Sequence, residues 1–178
     1  MTLSSATLSP VPVAEPLPPV DKLVYRSAMS RLAAAVNIIT SAGDDGWCGF
    51  TASAVSSVTD APPTLLVCIN RGTQAHPTIT SSRILCVNTV AGPHEDLSML
   101  FAGAGGNKDM AARFASAEWT TLATGAPVLI GAAVAFDCRV VDIASVGSHD
   151  VLYCEVVAVR EEAADSLVYF SRKFHRLA

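Results

Sequence analysis

Small hydroxyl residues and glycines are concentrated in a segment that otherwise has the apolar and β-branched residues of a strand. They are Gly49, Thr51, Ser53, Ser56 and Ser57. A strand rich in small residues lets a flat ligand approach the main chain, whose N–H and C=O groups then read the polar edge of that ligand. A flavin ring has this requirement. Hydroxyl residues that face solvent on an edge strand are the alternative explanation of the same pattern.

A second polar group follows the apolar run at residues 65–69. Asn70, Arg71, Gly72 and Thr73 place amide, guanidinium and hydroxyl donors at the end of a predicted strand and before a predicted helix. Donors of these types suit a phosphate group. An ordinary polar turn is the alternative explanation.

Common nucleotide, metal and hydrolase motifs are missing from the sequence. Lys108 stands where a G-x-G-x-x-G fingerprint beginning at Gly103 needs its third glycine, which excludes a Rossmann dinucleotide site. There is no Gly-Lys pair of a P-loop, and the histidines lack metal-ligand spacing, so no metal site is predicted. Ser148, His149 and Asp150 have the residue types of a catalytic triad, but neighbours along a strand point to opposite faces.

The composition leaves little charge to cover the surface. Hydrophobic residues make up 51% and charged residues 16%, which predicts that apolar surface is buried between subunits. The net charge of −4 argues against nucleic-acid binding. No run reaches the ~20 apolar residues of a membrane helix, and the first residues lack the basic character of a leader, so we expect no membrane span and a cytoplasmic location. Five cysteines without a C-x-x-C pair indicate reduced, buried thiols.

Turn signals divide the chain into an arm and one domain. Residues 1–20 hold five of the ten prolines and are predicted to form a flexible arm; residues 21–178 form the domain, which opens with a helix capped by Asp21. Strands are predicted over 35–40, 47–58, 64–69, 84–90, 128–143, 151–159 and 167–170, and further helices over 75–82, 95–102 and 108–114. Most connections are too short for helical crossovers. The prediction is therefore a mainly β protein, a closed antiparallel barrel with a few peripheral helices.

The order of several motifs resembles the short-chain flavin reductase family, which includes reductase components of two-component flavin-dependent monooxygenases. The similar segments include residues 26–29, 36–40, 49–58, 62–63, 66–70, 147–149, 167–169 and 174–177. The resemblance covers residues 22–178 and implies the flavin-binding split-barrel fold, of Greek-key type. Ser148 departs from it, because the family more often has aspartate before the histidine.

The resemblance also implies roles for individual residues. On this basis a flavin binds in a groove between two subunits, a reduced nicotinamide stacks over it, and hydride passes from nicotinamide C4 to flavin N5. His149, beside the rings, is the candidate catalytic residue. The isoalloxazine edge meets Thr51, Ala52 and Ser53, and the ribityl chain and phosphate meet Ser56, Ser57, Cys68, Ile69, Asn70 and Thr73. Further candidates for the pocket are Asn37, Trp47, Phe101, Tyr169, Arg172 and Phe174.

The implied function is a reductase that uses NADH or NADPH to reduce FAD or FMN and supplies the reduced flavin to a monooxygenase partner. The sequence leaves both cofactor choices open, with FAD favoured by family analogy. Two alternatives share the fold: a tightly bound flavoprotein oxidase, and a non-catalytic flavin-binding module. The low charge and the shared groove predict an obligate homodimer.

Overall fold

The computed structural model describes residues 17–106 and 109–177. Residues 1–16 of the predicted arm lie outside the described residues, and so does residue 108, the first of the helix predicted over 108–114. The helices are α1 Lys22–Met29, α2 His76–Ser82, α3 Glu95–Phe101 and α4 Met110–Phe114, with 3₁₀ turns at Gly92–His94 and Ala104–Gly106. The strands are β1 Ala34–Ala35, β2 Asn37–Gly43, β3 Gly46–Ala52, β4 Val55–Asp60, β5 Pro63–Asn70, β6 Ile84–Thr89, β7 Trp119–Thr121, β8 Pro127–Leu129, β9 Val134–Val146, β10 His149–Glu161, β11 Ser166–Phe170 and β12 Lys173–Leu177.

Seven strands form the main sheet, in the order β3-β2-β6-β9-β10-β5-β4, and all neighbouring pairs are antiparallel. The end strands β3 and β4 are consecutive in the chain and are linked by two residues. A flat sheet of this size is about 29 Å across, whereas such a link reaches about 11 Å. The sheet must therefore curl until its ends approach each other. The mainly β, antiparallel architecture predicted from the sequence is confirmed.

Two predicted strands were wrong in extent. The segment 47–58 forms both β3 and β4, because the link between them carries the chain from one end of the curled sheet to the other; Cys68 N–H donates to Ala54 O in this link over 3.0 Å. The segment 128–143 is also divided. Its first part pairs with β7, and the chain then turns at Gly131, whose φ of 81° favours glycine, before β9 begins.

Two smaller sheets accompany the main one, and each contains a strand that was not predicted. One has the order β1-β11-β12, and the other pairs β7 with β8. β7 has three residues, too few for a recognisable alternation. β12 is mostly polar and exposed, because it lies at the edge of its sheet and pairs only with β11 among the described strands.

Apolar side chains from both halves of the curled sheet fill its interior. The fully buried ones include Ile39, Val67, Ile69, Leu85 and Leu152. A second cluster packs α3 and α4 against the sheet. All five cysteines are free thiols, as predicted, and those other than Cys68 are buried. This interior fixes the strand ends that carry the candidate site.

α1 begins at the predicted cap but contributes nothing to the interior. Asp21 Oδ1 accepts hydrogen bonds from Leu23 N at 2.8 Å and Val24 N at 3.3 Å, which satisfies two N–H groups of the first turn. No residue of the helix is buried. Its apolar side chains therefore lie on the surface of this chain.

Candidate functional site

Two segments predicted to contact a ligand meet at one end of the main sheet. The hydrogen bond from Cys68 N to Ala54 O joins the end of β5 to the link that follows β3. In the ladder between β5 and β10, Asn70 is the partner of His149. The predicted flavin-edge segment, the predicted phosphate segment and the candidate catalytic histidine therefore lie together, although they are distant in sequence.

A cavity of about 440 Å³ opens beside this sheet end. Small-molecule sites typically have volumes of about 300–1,000 Å³. Its wall is mainly apolar, with Phe50, Phe101 and Met110, and carries polar groups from Thr73 and Arg113. The Arg113 side chain belongs to a residue that is only 7% exposed, so its position is fixed by its surroundings. The cavity combines an apolar wall with a cation and a hydroxyl group.

The segment predicted to bind a phosphate forms a turn that is held by hydrogen bonds among its own residues. Asn70 Oδ1 accepts from Gly72 N at 2.8 Å, and Asn70 O accepts from Thr73 N at 3.0 Å and from Thr73 Oγ1 at 2.8 Å. Asparagine favours such turns because its side chain bonds to the backbone two residues later. Ile69 is fully buried, so only its main chain is available to a ligand, whereas Cys68 is half-buried.

Side chains at the end of β3 hold the main chain in place. Thr51 Oγ1 donates to Ser98 O in α3 over 2.6 Å. Asn37, which is 3% exposed, donates from Nδ2 to Ala52 O over 3.3 Å and accepts at Oδ1 from Thr89 Oγ1 over 2.8 Å. These polar groups have protein partners. Their side chains therefore position the peptide groups of β3, while the next residue along, Ser53, is exposed.

Packing within the protein explains why residue 49 is a glycine. A Cβ atom at this position would lie 2.8 Å from Ile39 O and 2.9 Å from Phe101 Cε1. The Phe101 ring is itself 2% exposed and packs edge-to-face on Phe114, with ring centroids 5.2 Å apart. Gly49 thus admits the aromatic ring that forms one wall of the cavity.

Other predicted contacts lie outside this cavity. Ser56 and Ser57 are exposed on β4 and line a second cavity of about 320 Å³ together with Asn37. Ser53, Tyr169 and Arg172 line a third cavity of about 590 Å³ beside α1. Phe174 packs against Tyr169, and Trp47, 43% exposed, packs against Phe114. Within one chain, the predicted residues are divided among separate surfaces.

His149 is the first residue of β10 and is exposed. Its Nδ1 atom lies 2.9 Å from Ser148 Oγ. The serine that replaces the aspartate more usual in the family therefore contacts the histidine. The side chains of Ser148 and His149 therefore do meet, contrary to the expectation from strand alternation. The next residue, Asp150, is buried and bonds instead to Arg71, His76 and Ser145.

The buried Asp150 is the centre of a polar cluster that was not predicted from the sequence. Its carboxylate lies 3.0 Å from Arg71 Nη1, 2.7 Å from His76 Nε2 and 2.7 Å from Ser145 Oγ. The hydrogen bonds from His76 and Ser145, with a contribution from Arg71, lower the pKa of Asp150 to about 2. Arg71 and His76 precede Asp150 by more than seventy residues, so no local spacing indicates the cluster. The alternation of β10 does predict that Asp150 faces inward.

None of the helices in the described part of the chain is long and apolar enough to cross a membrane.

Comparison with known proteins adds a second line of evidence. Residues 29–178 match the family model described as a flavin reductase like domain. FMN reductase (NADH) RutF of Stutzerimonas stutzeri is 60% identical over 161 residues, which cover 90% of this chain and 91% of that protein. The crystal structure of a candidate flavin reductase from Haemophilus somnus aligns with a TM-score of 0.85 at 44% identity, covering 89% of this chain and 100% of the other.

BorF, the flavin reductase component of a bacterial two-component tryptophan halogenase, aligns with a TM-score of 0.80 at 27% identity, covering 88% of this chain and 98% of the other. The family and the split-barrel fold expected from the motifs are confirmed. The chain belongs to the flavin reductase family.

Proposed function

We propose that this chain uses NADH to reduce FMN and supplies the reduced flavin to a separate flavin-dependent monooxygenase. The observation that carries the proposal is the meeting of the 51–54 main chain, the 70–73 turn and His149 at one end of the main sheet, where Gly72 and Thr73 of the turn also line a cavity of ligand size. The relative at 60% identity is named an FMN reductase (NADH), which favours FMN over FAD and NADH over NADPH. BorF, itself a reductase component of a two-component system, supports delivery to a partner enzyme.

The residues of the site fit a flavin mononucleotide. Peptide groups at 51–54, held by Thr51 and Asn37, suit the hydrogen-bonding edge of the ring. Arg113, which lines the cavity, suits the phosphate; Thr73 lines it too, with its hydroxyl proton donated to Asn70 O. The two nucleotides supply the redox chemistry themselves: one hydride and one proton convert the flavin to its reduced form and leave NAD⁺. The protein's contribution is alignment.

His149 is the proposed residue beside the rings. Its Nδ1 atom is engaged by Ser148, and Nε2 has no hydrogen-bond partner among the described residues. That atom is therefore available to a carbonyl or amide group of a bound nucleotide. Because hydride transfer needs no protein base, we assign His149 to orientation of the two rings.

The function is tested by anaerobic stopped-flow absorbance with each nicotinamide and each flavin. We expect loss of NADH absorbance that depends on added FMN and is slower with NADPH or FAD. No turnover with any pair, in folded protein that binds flavin, would support the binding-module alternative. Flavin that stays bound through gel filtration and is reduced by another donor would support the oxidase.

The role of His149 is tested by His149→Ala. We expect flavin reduction to slow about 100-fold, as for a lost orienting contact, with little change in the Kd for FMN. His175→Ala is the control, because His175 is exposed and its imidazole contacts only Phe170, through Phe170 O and the phenyl ring, among the described residues. Equal reduction rates in His149→Ala and wild-type protein would remove His149 from the site.

We also propose that residues 21–178 form one domain and that two copies associate as a homodimer. α1 exposes Leu23 by 72%, Val24 by 61% and Tyr25 by 55%, and such contiguous apolar surface is typical of an interface. The third cavity, with Tyr169 and Arg172, lies against this helix. Light scattering on protein at micromolar concentration is expected to give the dimer mass; a monomer mass would contradict the proposal.

A further inference from the structure

We infer that Arg71, Asp150 and His76 form a network that positions the turn between β9 and β10, and that this network sets the rate of flavin reduction by holding His149 in place. The inference rests on the proposed function, in which His149 orients the nucleotide rings. Arg71, Asp150 and His76 are positioning residues in this scheme, because they act through His149.

Arg71 contacts four consecutive residues of the turn. Its main-chain N–H donates to Ser148 O over 3.1 Å. Its Nη1 donates to His149 O over 3.3 Å and to Asp150 Oδ1 over 3.0 Å, and its Nη2 donates to Gly147 O. The guanidinium group suits this task because its donors lie in a rigid plane, which a lysine ammonium does not reproduce.

Asp150 anchors the arginine to the body of the protein. Its side chain is 7% exposed and also bonds to His76, the first residue of α2, and to Ser145 of β9. The loop from Asn70 to α2 carries Thr73, which lines the proposed flavin cavity. The network therefore connects the loop that lines the cavity to the turn that carries His149.

Besides this network, the main-chain ladders pair His149 with Asn70 and Val146, but side-chain packing restrains the turn little. Residues 145–149 are all exposed, so no apolar packing fixes them. The β9–β10 ladder continues far beyond the turn, and its buried side chains, such as Leu152, do not depend on the network. Loss of the network is therefore expected to loosen the turn while the barrel stays folded.

The first measurement is single-turnover reduction of FMN-loaded, full-length protein by NADH. Asp150→Asn and Arg71→Ala are each expected to lower the rate by about 10- to 100-fold, with KM for NADH and the Kd for FMN changed far less. Because Arg71 is 42% exposed, Arg71→Ala tests the network without placing a defect in the interior. Millimolar guanidinium, but not sodium, is expected to restore part of its rate.

The matched control is Arg160→Ala. Arg160 also pairs with a carboxylate, Glu162, at 2.8 Å, but the pair lies at the opposite end of β10 and is about one-third exposed on each side. We expect wild-type rates. A rate loss in Arg160→Ala equal to that in Arg71→Ala would show that the effect is a general consequence of removing an ion pair, and would overturn the inference.

A second readout does not need the cofactor. Amide hydrogen exchange of the flavin-free protein is expected to be faster in the peptide covering 145–150 in Arg71→Ala and Asp150→Asn, and unchanged there in Arg160→Ala. Unchanged exchange, or faster exchange without a slower reduction rate, would overturn the inference. If wild-type protein reduces no flavin at all, the proposed function fails with it, whereas a failure confined to the variants leaves that function standing.

Discussion

Asn88→Ala is expected to destabilise the barrel by removing a buried three-way connection. Asn88 is fully buried. Its Nδ2 donates to Ile38 O over 3.0 Å and to Thr40 Oγ1 over 3.1 Å, and its Oδ1 accepts from Leu129 N over 2.8 Å. A single amide thus joins β6 to β2 in the main sheet and to β8 in a smaller one.

The expected loss follows mainly from Leu129 N, the main-chain donor left without this partner. Ile38 O keeps a main-chain partner, because Ile38 and Asn88 face each other in the β2–β6 ladder two residues from the bonded pair Val36 and Val90. A buried donor left unsatisfied costs about 1–3 kcal/mol. Thr40 Oγ1 keeps its contacts to Cys86 O and Pro127 O and adds little. Against a typical free energy of unfolding of about 5–15 kcal/mol, this is a large fraction.

The assay is urea unfolding followed by tryptophan fluorescence, at one protein concentration because subunit association contributes to apparent stability. With a slope of about 2 kcal/mol per molar urea, the midpoint is expected to fall by about 0.5–1.5 M. Asn70→Ala is the control: its Oδ1 also accepts from a main-chain N–H, that of Gly72, but both residues are exposed and water replaces the bond. Equal midpoints for the two variants would refute the reasoning.

Three further predictions concern charge, thiols and packing. Because the pKa of Asp150 is lowered to about 2, its contribution to the free energy of unfolding is lost as the pH falls from about 4 to 2. The urea midpoint of the wild-type protein should therefore fall over this pH range more than that of Asp150→Asn. Burial raises the pKa of the Cys154 thiol to about 12 and also raises the pKa values of Cys48, Cys86 and Cys138. We therefore expect only Cys68 to react rapidly with a thiol reagent in the native protein. After denaturation, all five cysteines should react. Gly49→Ala should lower stability by about 1–3 kcal/mol in the same urea assay, since Phe101 must move.

The sequence predicts the sheet well where each strand has a clear alternation and a turn signal at each end. β5 and β6 are examples, because turn residues flank their apolar runs. The boundary at residues 53–54 has no such signal: Ser53 and Ala54 carry no glycine or proline and continue a run of small residues. The strand ends there because the curled sheet brings its two edge strands close together. This closeness is a property of the whole barrel.

The same distinction applies to the site. The residue types around Thr73 predict a phosphate contact, and the family resemblance assigns His149 to the rings; both residues belong to the proposed site. The resemblance also assigns Asn37 to the ligand, yet its amide is occupied by Ala52 O and Thr89 Oγ1. A side chain that holds the main chain and one that holds a ligand have the same residue type, and only the three-dimensional contacts distinguish them.

The division of the remaining predicted residues has a physical explanation in the proposed dimer. Ser53 lies at the proposed ring edge but lines the cavity shared with Tyr169 and Arg172, which α1 borders. That helix has apolar side chains and no buried residue, so a single chain leaves this side of the site without a packed wall. A second copy that covered α1 would also enclose Ser53. The exposed apolar surface of α1 therefore adjoins the proposed flavin site. For this reason we expect binding of the flavin ring and association of the two subunits to depend on each other.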